Sequence, residues 1–324
     1  MPFRPAIRAT AAVTTLSVLA ACGGPGTSPE SAADYPSDEV RLLVPYDAGG
    51  PTDLTARAYA GFLEDKLGQP FVVENLPGGS GAVATQELVG SAPDGYTLSL
   101  VTAGTTVLTP LANDVGYTKA DITPIGVMAD VPSLLAVGAD SPYQDIASLI
   151  DAARADPGEL NVAVPGASTP QAVELQRLKE MYGVKVTVVP FDGNAEMTTA
   201  LLGGNVDAVL INASSDVTAN IDAGKFVPLA VSPKERLDWL PDTPSLVEAG
   251  FPGLTLSGST FGLAGPDDLP PGVRDELESA LRQASQDPGV VRKVGERYVP
   301  SSFGDAQALQ QMLDDTQRVY ELIL

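Results

Sequence analysis

The sequence predicts an α/β protein whose sheets are mostly parallel and are covered by helices. From Glu39 onward, short apolar runs alternate with segments whose apolar residues recur at helical spacing. The apolar runs contain few polar residues, which is typical of strands buried on both faces of a sheet. With 324 residues, of which 44% are hydrophobic, the chain is long enough for one large domain or two lobes with separate cores.

The first half of the chain predicts strands joined to helices by short linkers. The strand "VRLLVPY" precedes a helix predicted over residues 51–66. The stretches "PFVVEN" and "DGYTLSLVT" predict further strands, and "AVATQELVGSA" predicts the helix between them. The longer apolar stretch "ITPIGVMADVPSLLAVG" predicts one or two strands.

The second half repeats this alternation. Strands are predicted at "ELNVAVPG", "VKVTVVPF", "VDAVLIN" and "FVPLAVS", and helices at "IASLIDAARAD", "NAEMTTALLGG" and "VTANIDAGK". A helix over 170–182 should end at Gly183, since glycine suits the left-handed position after a helix. Helices predicted over 271–286 and 305–322 close the chain.

The composition excludes several classes of function. The formal charge is −22 without a basic stripe, so nucleic acid is excluded as a partner. The chain has no histidine and one cysteine, which excludes Ser-His-Asp and Cys-His catalysis, histidine zinc sites and disulfides. No calcium-loop or S-x-x-K motif is present, and we predict no metal or cofactor. A carboxylate pair remains open in a chain with 41 acidic residues.

The N-terminus predicts export and lipidation. Two arginines, a short apolar run and "LAAC" follow one another in residues 1–22, as in a bacterial lipoprotein signal peptide. Cys22 would then carry the lipid and begin the mature chain, and 23–38 would form a flexible tether. The alternative is an ordinary signal peptide with a chance cysteine.

The stretch "GSGAVA", from Gly79 to Ala84, matches the G-x-G-x-x-A pattern of dinucleotide sites. It follows a predicted strand and opens a helix, which is the required context. The next strand, "TLSLVT", ends without the acidic residue that would hold a ribose. The more plausible interpretation is a tight turn between strand and helix.

The stretch "VPYDAGGPTD", residues 44–53, predicts a helix N-terminus that could hold an anion. Pro51 suits the first helical position, where a missing N–H costs nothing, so Gly50 would be the N-cap and Asp53 the third helical residue. The unpaired N–H groups and partial positive charge of such a terminus favour a carboxylate or phosphate.

The stretch "VPGASTPQ", residues 164–171, repeats this arrangement in the second half. A strand ends, Gly166 turns the chain, Ser168 and Thr169 offer hydroxyls, and Pro170 begins a helix. One such turn in each half would suit a small anion held between two lobes. The alternative is that both are ordinary capped turns of an α/β protein.

Together the motifs resemble the substrate-binding proteins of tripartite tricarboxylate transporters, often called the Bug family. The resemblance extends over about the whole mature chain and includes "STPQ", "VPFDG", "LLGGNVDAV" and "FGLAGPDDLPPGV". The motif residues in the first hundred positions are Pro45, Tyr46, Gly49, Gly50, Asp53, Leu67, Gly68, Gln69, Val72, Asn75, Gly78, Gly81 and Asp94 to Leu98.

The resemblance implies a two-lobed, periplasmic-binding-protein-like (Venus flytrap) fold that closes on an organic carboxylate without catalysis. It implies delivery to membrane permease subunits by a monomeric protein outside the cytoplasm. The first lobe would comprise 39–138 and 260–324, and the second 139–259. The implied ligand-binding residues are Tyr46, Ala48, Gly49, Thr52, Asp53, Thr102, Ala103, Gly166, Ser168, Thr169, Gln171, Asp192 and Asp207.

Three positions depart from the family pattern. Gln171 stands where histidine is common, so a donor is kept and a possible charge is lost. Thr260 stands where tryptophan is usual, so one aromatic wall is expected to be missing. Asp47 lies at a loop position that is more often uncharged.

The two aspartates of the first turn receive different predictions. Asp53 is expected to cap its own helix by accepting from the Gly50 N–H, and the alternative is a contact with the ligand. Asp47 is a solvated loop charge or, if it points inward, would repel a trianion. It would then favour a ligand with one or two carboxylates and a hydroxyl or amino group.

Other functions remain as alternatives. A sensor lipoprotein would use the same fold to present a ligand to a membrane receptor. An exported hydrolase based on carboxylates would turn over a substrate, and a structural surface lipoprotein would have no ligand cleft.

Overall fold

The computed structural model describes Met1 and residues 35–323. Cys22, the predicted signal peptide and most of the predicted tether therefore lie outside the described residues. The two sheets described below both belong to the compact unit Ser31–Leu324. In the described part, no helix has the length and apolar character needed to cross a membrane.

Ten strands in the described residues form two five-stranded sheets, with orders β2-β1-β3-β10-β4 and β7-β6-β8-β5-β9. The strands are β1 (Val40–Val44), β2 (Phe71–Asn75), β3 (Thr97–Val101), β4 (Ile122–Val131), β5 (Ser133–Gly138), β6 (Asn161–Val164), β7 (Thr187–Pro190), β8 (Ala208–Asn212), β9 (Phe226–Val231) and β10 (Ser259–Pro266).

Helices cover the two sheets. They are α1 (Pro51–Leu67), α2 (Ala82–Val89), α3 (Thr109–Ala112), α4 (Ile146–Ala155), α5 (Pro170–Tyr182), α6 (Asn194–Leu202), α7 (Ser215–Asp222), α8 (Pro271–Ala284), α9 (Pro288–Val294) and α10 (Ala306–Tyr320). Short helical turns lie at Gly79–Gly81, Gly104–Leu108 and Lys119–Asp121.

Both sheets are mixed, so the prediction of mostly parallel pairing holds for only part of each. β1 is parallel to β2 and β3, and β6 is parallel to β7 and β8. By contrast, β10 is antiparallel to β3 and β4, and β5 is antiparallel to β8 and β9. These antiparallel strands follow the points where the chain changes sheets, and strand–helix alternation contains no signal for them.

The helices α1 and α5 begin and end as their sequences predict. Each has a proline in its first turn, and each is followed by a glycine in the left-handed conformation, Gly68 (φ 79°) and Gly183 (φ 68°). Tyr59 and Leu63 of α1 are fully buried beneath the first sheet. Burying one such side chain contributes on the order of 2 kcal/mol, which fixes the helix against its sheet.

Each sheet has its own hydrophobic core. In the first, Leu42, Leu98 and Leu100 of the central strands pack with residues of α1 and α8. In the second, Val162 and Leu210 pack with residues of α4 and α5. A chain with two separate cores is the two-lobed α/β architecture that the resemblance implied.

The chain first changes sheets at Pro132, between β4 and β5. Residues 133–138 were assigned to the first lobe, but they form β5 of the second sheet. The apolar stretch across β4 and β5 is continuous in sequence, so it gave no sign of the change.

The folded region begins earlier than residue 39. Tyr35 was assigned to the tether, but its ring is buried in the first core and its hydroxyl donates to the Gly95 carbonyl at 2.7 Å. The short helix α9 was also not predicted, because its seven residues are too few for a helical repeat to be evident.

Candidate functional site

A cavity lies between the two sheets and contains about 370 Å³ of empty space, a volume that includes solvent at its open mouth. It lies where β1, β3, β6 and β8 reach their carboxyl ends, the usual ligand position in open α/β sheets. The first sheet and its loops contribute Tyr46, Asp47, Gly50, Pro51, Thr52, Thr102, Ser259 and Phe261. The second contributes Pro165, Thr169, Pro170, Gln171, Gly193, Asn194 and Asn212.

The N-terminus of α1 opens onto this cavity. Gly50 is its N-cap and makes no side-chain cap hydrogen bond, and Pro51 and Thr52 line the cavity. The first-turn N–H groups that a side-chain cap would normally bind are therefore left for another acceptor. This part of the site is as the sequence predicts.

The Asp53 carboxylate makes its hydrogen bonds within its own loop and helix. One carboxylate oxygen accepts from the Gly49 N–H at 2.9 Å, and the other accepts from Arg57 at 2.9 Å. The predicted bond from the Gly50 N–H is therefore absent, and Asp53 instead binds the N–H of Gly49, the residue before the N-cap. Burial acts to raise the pKa of Asp53, but the bonds from Arg57 and Gly49 outweigh it and lower the pKa. Asp53 does not line the cavity, so it positions the loop that does.

The N-terminus of α5 opens onto the cavity from the second sheet. Thr169 is its N-cap, accepts from the Ala172 N–H at 3.4 Å and donates to the Gly166 carbonyl at 3.0 Å. Unlike Gly50, this cap satisfies part of its own helix terminus. Thr169 and Gln171 line the cavity, as the resemblance implied.

Gln171 joins a buried hydrogen-bond network at the base of the cavity. Its side-chain amide donates to Asn212 Oδ1 at 2.9 Å, to Ser133 Oγ at 3.0 Å and more weakly to Ser259 Oγ at 3.4 Å. Ser133 Oγ in turn donates to the Ser257 carbonyl at 2.6 Å. The network therefore joins the cavity wall to both segments where the chain changes sheets.

The N-terminus of α6 is the third helix terminus at the cavity. Gly193 is its N-cap and Asn194 its first residue, and both line the cavity. Asn194 is 2% exposed, and its amide donates to the Asn212 carbonyl at 3.1 Å. Neither Asn194 nor Asn212 was predicted as a site residue, although Asn212 ends a predicted strand, a position that indicates a site residue in this kind of fold.

Hydrogen bonds join the two sides around the cavity. Ser80 Oγ accepts from the Ser168 N–H at 3.2 Å, and the Asn113 amide donates to Ser168 Oγ at 3.0 Å. The Asp47 N–H donates to the Asp192 carbonyl at 3.1 Å. Two predicted site residues, Ser168 and Asp192, therefore contact the opposite lobe and not the cavity.

Gly166 lies at a close contact between the two lobes. Its φ of 112° lies in the left-handed region, and an added Cβ would lie 2.9 Å from Ser80 Oγ. The glycine is needed both for its backbone conformation and for this close contact.

Four other predicted residues do not line the cavity. Ala48 and Gly49 are exposed in the loop before α1, and Ala103 is buried beside Thr102 without reaching the cavity. Asp207 lies before β8 at the far end of the strand, where it accepts from the Asn161 N–H at 2.8 Å. The structure therefore does not support a ligand contact for Asp207.

The aromatic wall differs from the one the family pattern predicts. Thr260 is turned away, and its hydroxyl donates to Asp130 at 2.6 Å. Its neighbours Ser259 and Phe261 line the cavity instead. Ser259 and Phe261 lie at the amino end of β10, which reaches the cavity because β10 is antiparallel to its neighbours. A search for residues after the carboxyl ends of strands therefore does not find them.

Among the described residues that line the cavity, none carries a positive charge. Tyr46 and Asp47 are the ionisable ones. Burial raises the pKa of the Tyr46 hydroxyl, and its side-chain hydrogen bond with Thr102 partly opposes this, so Tyr46 remains a neutral donor. Within the described residues, no group of three or more acidic or thiol side chains could hold a metal ion.

Solved structures of other proteins resemble this fold, including the following three. The R. palustris protein Rpa4515, solved with adipate, is 32% identical, with 90% of this chain and 97% of that chain covered and a TM-score of 0.83. The periplasmic binding protein BugD is 29% identical, with 88% and 96% covered and a TM-score of 0.82. MatC from Rhodopseudomonas palustris, solved with malate, is 27% identical, with 89% and 99% covered and a TM-score of 0.81.

A family model described as "Tripartite tricarboxylate transporter family receptor" matches residues 55–324. The matched part begins within α1 and includes every described strand except β1. The family resemblance seen in the sequence is thereby confirmed. This chain belongs to the receptor family of the tripartite tricarboxylate transporters.

Proposed function

We propose that this protein captures a small organic carboxylate in the cavity between its lobes and delivers it to the permease subunits of a tripartite tricarboxylate-type transporter. The observation that carries the proposal is the meeting of three helix N-termini, those of α1, α5 and α6, at one cavity. Each adds partial positive charge, and α1 also keeps first-turn N–H groups that no side chain caps, so the site favours an anion.

The donors of the cavity are neutral. The hydroxyls of Tyr46, Thr52 and Thr102 line it, and no lysine or arginine is among the described lining residues. The side-chain amides of Gln171 and Asn194 also line it but already donate to Asn212. Hydrogen bonds from such groups to a carboxylate are charge-assisted, and waters bridge where the fit is loose. A neutral site of this kind binds reversibly, as a transport protein must.

Two related structures support a small ligand. Adipate and malate, the molecules named with two related structures, are small dicarboxylates. We infer a ligand of the same general class here.

Ligand entry requires the lobes to open. We place the lobe division at Pro132 and within the segment before Ser259, since the chain changes sheets at these points. The Ser80–Ser168 and Asn113–Ser168 bonds would break on opening, which makes the described arrangement a closed one. Such hinge closure around a ligand is a common way for two-lobed proteins to bind.

We further propose that the protein is a lipid-anchored monomer outside the cytoplasm. The support for the anchor is the order of charge, apolar run and Cys22 in residues 1–22. The support for the location is the family match and the relation to the periplasmic protein BugD.

A thermal-shift screen tests the proposal. The purified protein would be heated with mono-, di- and tricarboxylates, hydroxy acids, amino acids and aromatic acids. A ligand at 100 times its dissociation constant adds about 2.7 kcal/mol to the free energy of unfolding, enough to move the midpoint visibly. Ligand recovered unchanged after long incubation would argue for binding and against a hydrolase. A folded, ligand-free protein that responds to no carboxylate would contradict the proposal.

A further inference from the structure

The N-terminus of α6 is capped by a side chain from the other lobe. Asp47, in the loop after β1, accepts the Glu196 N–H on Oδ2 at 3.3 Å. Glu196 is the third residue of α6, and its N–H is the one that an N-cap serine or aspartate commonly binds. The helix's own N-cap is Gly193, which makes no side-chain cap hydrogen bond.

Gly193 provides the space for this carboxylate. Its φ is 165°, an extended conformation that any residue adopts, so its backbone does not require glycine. An added Cβ would lie 1.6 Å from Asp47 Oδ1, far closer than two non-bonded atoms can approach. Because Gly193 of the second lobe has no side chain, the Asp47 carboxylate of the first lobe fits beside it.

The capped terminus is part of the cavity. Asp47, Gly193 and Asn194 all line it, beside the N-termini of α1 and α5. Two of the three helix termini are thus open to a ligand from the cavity side, and the third already holds a carboxylate of the protein.

We propose that the Asp47 carboxylate takes one of the anion positions of the cavity, so that the protein binds mono- and dicarboxylates and discriminates against tricarboxylates. This inference rests on the proposed carboxylate-binding function and makes Asp47 a specificity-determining residue. A third ligand carboxylate would have to displace Asp47 from α6 or lie beside it, and like charges at that separation repel.

The surroundings of Asp47 strengthen this discrimination. The carboxyl groups of Glu196 and Asp192 are the acidic groups that interact with it from the second lobe. Burial raises the pKa of Asp47 to about 6, the Glu196 N–H lowers it, and the charges of Glu196 and Asp192 raise it further. At pH 8 the carboxylate is ionised, and the local charge there is negative.

Two ligands that differ by one carboxylate test the inference. Glutarate and tricarballylate share a five-carbon dicarboxylate chain, and tricarballylate adds a third carboxylate at its centre. Their dissociation constants would be measured by calorimetry at pH 8 for the wild type, Asp47→Asn and Asp47→Gly. Asp192→Asn is the matched control, because it removes the same charge beside the same helix without uncapping it.

We expect the wild type to prefer glutarate, and Asp192→Asn to keep that preference with a smaller change in the affinity ratio than either Asp47 variant. Asp47→Asn and Asp47→Gly should shift the affinity ratio at least tenfold toward tricarballylate, with Asp47→Asn keeping an acceptor for the Glu196 N–H. An unchanged ratio in both Asp47 variants would overturn the inference while leaving carboxylate binding intact. A wild type that binds no carboxylate at all would instead count against the proposed function.

Acetate provides a readout that does not depend on the transported ligand. In Asp47→Gly the vacated position at α6 should accept free acetate, so acetate should raise the melting temperature of this variant several degrees more than that of the wild type or Asp192→Asn. Equal acetate effects in all three proteins would show that the position does not bind a carboxylate, and would also overturn the inference.

Discussion

The turns before α1 and α5 have similar sequences but different hydrogen bonding. In "VPYDAGGPTD" the N-cap is Gly50, which makes no side-chain bond, whereas in "VPGASTPQ" it is Thr169, whose hydroxyl binds its own helix. The first turn therefore keeps more donors for a ligand, and the second uses donors to stabilise the protein. The N-cap residue decides whether such a turn serves binding or stability. The turn before α6 is a third case, because its cap comes from the other lobe.

The largest effect on carboxylate affinity is expected at Gly193, in the turn before α6, which contacts Asp47 of the first lobe. Gly193→Ala would place a Cβ 1.6 Å from Asp47 Oδ1, so either Asp47 must turn away from the N-terminus of α6 or the lobes must stop short of full closure. We expect carboxylate affinity to fall at least a hundredfold, about 2.7 kcal/mol, with the lobes still folded. Calorimetric titration measures the loss. The double variant Gly193→Ala/Asp47→Gly removes the clash and should recover most of the affinity, and failure to recover would contradict this explanation.

A loss of folding stability is expected when the hydrogen-bond network of Gln171, in the first turn of α5, is disrupted. Gln171→Leu removes the donor to Asn212 and Ser133, which leaves buried acceptors unsatisfied at a cost of about 1–3 kcal/mol. Urea unfolding should show this loss of stability. The matched control is Gln176→Leu on the exposed face of the same helix, which should change stability little. Equal effects of the two changes would refute the structural role given to Gln171.

The two turns themselves can be compared with one substitution each. Thr169→Val removes a helix cap and should lower the free energy of unfolding by about 1 kcal/mol. Thr52→Val removes a hydroxyl that lines the cavity but caps nothing, so stability should change less while carboxylate affinity falls about tenfold. Urea unfolding and calorimetry on both variants measure the two effects. The reverse pattern, with Thr52 needed for stability and Thr169 only for binding, would break the comparison.

The last effect concerns pH. Burial raises the pKa of Asp47 to about 6, so the folded protein binds this proton more tightly than the unfolded chain. The contribution of Asp47 to stability therefore decreases as the pH rises from about 4 through 6. Asp47→Asn lacks this titration, so its stability relative to the wild type should increase over that interval and level off above it.

Urea unfolding at pH 4.5, 6 and 8 tests this effect of pH. Asp192→Asn serves as the control for the loss of one negative charge near α6. A stability difference between Asp47→Asn and the wild type that is the same at all three pH values would show that Asp47 does not titrate in this interval.

Local features of the site were predictable from the sequence, and long-range ones were not. Pro51, Pro170 and Gly183 indicated where two helices begin or end, and the structure confirms those positions. The contact of Asp47 with Gly193 joins residues far apart in sequence, so no spacing could indicate it. Asp207 matched a family motif, yet it lies at the wrong end of its strand for a cavity contact.

The same distinction explains the errors in the fold. Parallel strands alternating with helices leave a periodic pattern, and those elements were predicted. The change of sheet at Pro132 and the antiparallel strand β10 depend on tertiary pairing, which apolar runs alone do not encode. Ser259 and Phe261 reach the cavity only because of that pairing.

The most direct test of the account is a crystal structure of the protein with the best carboxylate from the thermal-shift screen. The account predicts a ligand carboxylate between the lobes, with an oxygen about 3 Å from a first-turn N–H of α1 and with Asp47 still at the N-terminus of α6. A carboxylate bound elsewhere, or one that has displaced Asp47 from α6 in the wild type, would contradict it.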